Sequence, residues 1–91
     1  MNEWQPIKVR PRRSGFYAIY DGVSHRTRYA AFDVRTWRWS ALRSELSALA
    51  DGLDECNAEL GDCDGWRELT PDEAAKLTPS MLDWADAADR R

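Results

Sequence analysis

Ninety-one residues, 43% apolar and 32% charged with five tryptophans, suffice for one hydrophobic core, place the chain among globular and not disordered proteins, and exclude two independently folded units. No apolar run reaches the roughly 18 residues that a membrane-crossing helix needs. The net charge of −3 conceals a division: residues 1–43 hold nine basic side chains against three acidic ones, and residues 44–91 hold thirteen acidic against four basic.

The elements read as one domain over 1–91, with an N-terminal arm and β-meander (1–39), an acidic amphipathic helix (40–64), and a short strand with C-terminal helices (65–91). Pro6, Pro11 and the Arg12-Arg13 pair mark residues 1–15 as an extended arm or edge strand. Residues 16–20 are aromatic and β-branched and stop at Asp21-Gly22, a turn signal, and residues 26–34 form the return strand. Trp37 and Trp39, two apart, are expected on one face of a third strand.

From Leu42 the apolar period changes. Leu42, Leu46, Leu49, Leu53, Cys56, Leu60 and Cys63 follow at alternating steps of four and three, the stripe of an α-helix, with Gly52 as a weak point and Gly61 as a stop. Trp66 to Leu69 reads as a short extended piece at the sheet edge. Thr70-Pro71-Asp72-Glu73 and Thr78-Pro79 are helix starts, the second helix running through Met81, Leu82, Trp84, Ala85 and Ala88 with Leu82, Ala85 and Ala88 on one stripe. The expected fold is α+β: a small antiparallel sheet of three to four strands packed by one long amphipathic helix plus short C-terminal helices.

Catalytic signals are poor. The lone histidine, His25, follows Asp21 and Ser24 in a turn, where no pocket or oxyanion hole is expected, and no phosphate loop or nucleophile elbow is present. Cys56 and Cys63 stand seven apart, too far for a structural zinc pair, and Gly61 to Gly65 lacks the flanking carboxylates of a calcium loop. The reading is therefore non-enzymatic, without metal or cofactor. Two cysteines and opening residues without the apolar core of a secretion signal suggest the reducing cytosol.

The most distinctive feature is acidic. Asp51, Asp54, Glu55, Glu59, Asp62 and Asp64 place six carboxylates within fourteen residues containing no lysine or arginine. On a helix, neighbours four apart rise by about 6 Å, similar to the spacing of phosphates along a nucleic-acid strand. Such an array is expected to act as a DNA mimic toward a basic protein surface. The basic half interleaves arginines with Tyr17, Tyr20, Tyr29, Trp37 and Trp39, which suits a single-stranded nucleic-acid-binding module as an alternative. Self-association through Trp4 or Trp84 in an assembly protein is a further one.

Trp4, then Gly15, Tyr17, Tyr20, Asp21 and Gly22, then Ala30, Phe32, Asp33 and Trp37, and finally Trp66 to Leu69 form a pattern that resembles small phage and prophage domains of unknown function. The likeness covers about half the chain, with the first aromatic offset by one, and departs at residues 40–65 and 70–91. It implies a mobile-element origin. By size and charge it suggests an inhibitor of the anti-CRISPR or anti-restriction type, working in the bacterial host cytoplasm on the basic surface of a nucleic-acid-binding complex.

Overall fold

Alternating side chains along residues 15–33 are apolar on both sides, and that fixes the centre of the structure. A computed structural model describes residues 4–90; residues 1–3 and 91 of the expected domain lie outside the described residues. Strand β2 (Gly15–Asp21) pairs antiparallel with β3 (Arg26–Asp33) from Gly15↔Phe32 to Asp21↔Arg26. Tyr17, Ile19, Ala30 and Phe32 project to one face, where Trp39, Leu60, Cys63, Ile7 and Trp66 close over them. Phe16 and Ala31 project to the other, against Leu46, Leu49, Cys56 and Met81. A strand buried on both faces excludes the one-sided sheet that a simple meander would make.

Three short strands complete a five-stranded sheet: β1 (Gln5–Pro6), β4 (Arg38–Trp39) and β5 (Gly65–Glu68). The order is β1-β5-β2-β3-β4, all antiparallel, curled into a half-barrel. The expected three or four strands thus become five, and residues 65–68 enter between β1 and β2 instead of lying at the edge. Trp66 pairs with Ile19 on one side and Gln5 on the other, and its ring meets Tyr17 edge-on at 5.1 Å. The arm is fastened there by the Trp66 indole N–H, which donates to the Val9 carbonyl.

The expected long helix over 40–64 is absent. Residues Leu46–Glu55 form a 3₁₀ segment broken at Gly52 (φ −132°, ψ 19°), with no side-chain cap at Glu45. The same carboxylates that made the segment conspicuous work against an α-helix. Asp51, Glu55 and Glu59 would repel one another at steps of four, and no base near the C-terminal end would oppose the helix dipole. The chain instead turns around β4. Trp39 and Ala58 exchange backbone hydrogen bonds of 3.1 and 2.8 Å, so Leu46, Leu49 and Cys56 cover one face of the sheet and Leu60 and Cys63 the other. The regular apolar spacing belongs to two cores.

The C-terminal helix starts match their signals. Thr70 caps α1 (Pro71–Ala74) with a reciprocal Glu73 contact, and Thr78 accepts from the Met81 amide at the head of α2 (Pro79–Ala88). The expected stripe of Leu82, Ala85 and Ala88 is buried only in part. Met81 and Ala88 are buried with Trp84 and Ala85 packed beside them, while Leu82 is 51% exposed. Among the described residues no helix is long and apolar enough to cross a membrane.

A Cβ on Gly65 would sit 2.5 Å from the Gln5 carbonyl oxygen, so the close approach of β1 to β5 requires glycine there. Gly65→Ala is expected to lower stability by about 1–3 kcal/mol, measured by urea denaturation, and to speed amide exchange at Ile7 and Trp66 more than in the β2–β3 ladder.

Candidate partner-binding surface

The six carboxylates do not form one row. Asp51, Asp54 and Glu55 lie exposed on the 3₁₀ segment, which Leu46 and Leu49 anchor to the sheet. Glu59 stands at the crossing beside β4, where Arg10 and Arg38 each reach one of its oxygens at 2.7 Å. Asp62 and Asp64 lie beyond it. The Asp64 carboxylate is set against Gly22 in the β2–β3 turn, and the Asp64 amide donates to the Tyr20 carbonyl at 3.0 Å. The array is therefore three groups on two sides of the sheet edge, and a straight phosphate-like ladder is absent.

These groups differ in what neutralises them. Asp21, Asp33, Glu59, Glu73, Asp86 and Asp89 all sit within ion-pair distance of an arginine. Three of those contacts, Arg10–Glu59, Arg38–Glu59 and Arg13–Asp89, join the basic half of the chain to the acidic half. The hydrogen bond from Arg10 holds the Glu59 carboxyl below its ordinary value. Among the described residues no ion pair engages Asp51, Asp54, Glu55, Asp62 or Asp64.

Next to the first group stands an aromatic residue in an unusual backbone state. Trp37 is 44% exposed at the β3–β4 turn with φ 62°, the left-handed region that a bulky side chain rarely enters. It lies in the turn and not on the third strand with Trp39, yet its ring and that of the buried Trp39 both meet the Phe32 ring, at 5.3 and 5.0 Å. The Trp37 amide donates to the Asp33 carbonyl at 2.7 Å, its ring meets Phe32 edge-on at 5.3 Å, and Arg10 donates to its carbonyl at 2.6 Å. Thr36 ties the turn to the end of the 3₁₀ segment through the Cys56 carbonyl at 2.9 Å. Trp37 and the Asp54–Glu55 pair are thereby held in one region of the surface.

The β2–β3 turn is built in the same way. Asp21, Ser24, His25 and Arg26 recur twelve residues on as Asp33, Thr36, Trp37 and Arg38. In both turns the aspartate accepts the amide of the residue two ahead, and the ring-bearing residue before the arginine has a left-handed φ, 55° at His25 and 62° at Trp37. A loop of this length normally places glycine in that position. This spaced repeat is the signal in the sequence that would have moved Trp37 from a strand to a turn.

Other polar groups serve the scaffold. Glu73 accepts from Arg67 at 2.7 Å, from the Tyr29 hydroxyl at 2.8 Å and from the Thr70 amide at 2.9 Å, tying α1 to β3 and β5. Those contacts, the Arg67 hydrogen bond foremost, bring its carboxyl down to about 2. Burial pushes the Cys56 thiol up to about 11 and raises Cys63 as well, so neither is a ready nucleophile at neutral pH. His25 Nδ1 lies 3.3 Å from the Tyr20 hydroxyl, while the Asp21 carboxylate is turned to the Val23 and Ser24 amides. A cleft of about 350 Å³ opens between β2 and α2, and its Asp89 is already bonded by the Ser14 amide and Arg13. No protein-family model, curated protein or solved structure matches the chain.

Because the folded Glu73 carboxyl lies near 2 against an ordinary 4.5, its contribution is complete above pH 4.5 and is lost as pH falls toward 2. Urea melts of wild type and Glu73→Gln are expected to differ by about 1–3 kcal/mol at pH 7 and to converge as the pH approaches 2.

Proposed function

We propose that the protein is a non-enzymatic binding protein of phage type. In this reading it inhibits a bacterial defence complex, of the CRISPR or restriction class, by docking an acidic surface onto that complex's basic nucleic-acid-binding face in the host cytoplasm. The observation that carries the reading is the contrast among the carboxylates: the chain neutralises Glu59, Glu73, Asp33 and Asp89 with its own arginines, whereas among the described residues no ion pair engages the exposed Asp51, Asp54 and Glu55, Arg35 reaching Asp54 only at longer range. Charge kept unpaired on a fixed surface costs self-repulsion and favours an oppositely charged partner. Trp37 beside it adds an aromatic anchor of the type on which interface energy concentrates. The contact is smaller than the six-residue array, because Glu59 is occupied and Asp62 and Asp64 lie beyond the crossing.

The test is affinity capture from a bacterial lysate with wild type and with the Asp51→Lys/Asp54→Lys/Glu55→Lys variant, at roughly 50 and 200 mM salt. A protein retained by wild type at low salt, released at high salt and displaced by duplex DNA should be lost from the variant. The variant's stability should change by less than about 1 kcal/mol. Equal retention by wild type and variant would contradict the acidic contact.

A further inference from the structure

Glu59 is held in an arrangement that neither the sheet nor the acidic surface requires. Arg10, from the arm, gives an Nη2 hydrogen bond to Oε2, and Arg38, from β4, gives an Nη1 bond to Oε1, both at 2.7 Å. The other terminal nitrogen of Arg10 donates to the Trp37 carbonyl, which fastens this fork to the residue whose indole is exposed. Two guanidinium groups presenting N–H donors to separate oxygens of one anion form a receptor suited to phosphate as well as carboxylate. An exposed tryptophan in the same turn is a platform on which a nucleobase stacks.

We propose that Arg10, Arg38 and Trp37 form a binding site for a nucleoside monophosphate, in which Glu59 holds the phosphate position until the ligand displaces it. The Glu59 side chain is 53% exposed and that of Arg38 49%, so the carboxylate can swing outward without opening either core. Exposed ion pairs contribute little to stability, and a phosphate dianion offers the fork more charge than the carboxylate it replaces. A net charge of −3, with Asp54 and Glu55 on the adjacent segment, disfavours a continuous polyanionic strand, whereas a single phosphate needs only the fork. This site shares Trp37 with the acidic docking surface but uses none of Asp51, Asp54 and Glu55, so the lysine variant at those three positions tests the docking surface and the Glu59 and Arg38 variants test this site.

The test is calorimetric titration of the full chain with adenosine monophosphate, and separately with inorganic phosphate and with adenosine, at fixed ionic strength. Wild type should bind adenosine monophosphate in the millimolar range, and Glu59→Gln, freed of its internal competitor, about tenfold more tightly. Adding Arg38→Ala to Glu59→Gln should abolish binding of both phosphate-bearing probes. Trp37→Ala, or Trp37→Asn if the alanine variant melts early, should erase the advantage of adenosine monophosphate over inorganic phosphate. The proposal is overturned if Glu59→Gln binds no better than wild type, if binding survives Arg38→Ala, or if adenosine monophosphate binds no better than inorganic phosphate. Tighter binding of a single-stranded oligonucleotide than of adenosine monophosphate would overturn the mononucleotide assignment in favour of a strand.

Discussion

The ladder between β2 and β3 carries apolar side chains on both faces, so water has to be excluded from it twice. Ala18, Ile19, Ala30, Ala31 and Phe32 have no exposed surface, although the strands that hold them are only seven and eight residues long. Every other segment is placed by that demand. The arm, β5 and residues 60–63 cover one face; the 3₁₀ segment, α2, and Leu69 and Leu77 on either side of α1 cover the other. Because the covering pieces are short, each is secured by a few specific contacts: Trp66 to Val9, Trp39 to Ala58, and Glu73 to Arg67 and Tyr29.

Where local chemistry decides an element, the sequence was readable. Asp21-Gly22 marked the end of β2, and Thr70-Pro71 and Thr78-Pro79 marked two helix starts that form with the expected caps. Long-range burial decided the rest. The leucines at steps of four and three have the period of a helix, but Leu49 and Leu60 enter different cores because the chain bends around β4 between them. No local signal records that bend beyond Gly52 and the crowding of like charges, which disfavour the helix without showing what replaces it. Residues 65–68 looked like an edge piece because four residues reveal nothing about having partners on both sides. The composition of the candidate surface was legible, since the carboxylates without bases stand out in the chain. Their division was not, because it depends on Arg10 and Arg38, distant in sequence, meeting at Glu59.

The electrostatics follow from the same route. Crossing the sheet edge at residues 57–59 brings the acidic half against the basic arm and β4, which consumes Glu59 and leaves Asp51, Asp54 and Glu55 on one side of the edge. The turn that accompanies the crossing also presents Trp37. A covalently continuous detour around one edge strand thus creates the aromatic tip, the arginine fork and the exposed carboxylates together.

The detour itself is the central claim, and nuclear Overhauser contacts around β4 test it most directly. The folded chain should show cross-strand contacts between Trp39 and Ala58, with both amides slow to exchange, and no unbroken series of sequential amide contacts from Ala50 through Leu60. A continuous helical amide pattern over residues 42–60, with Trp39 and Ala58 showing no mutual contact, would contradict the account.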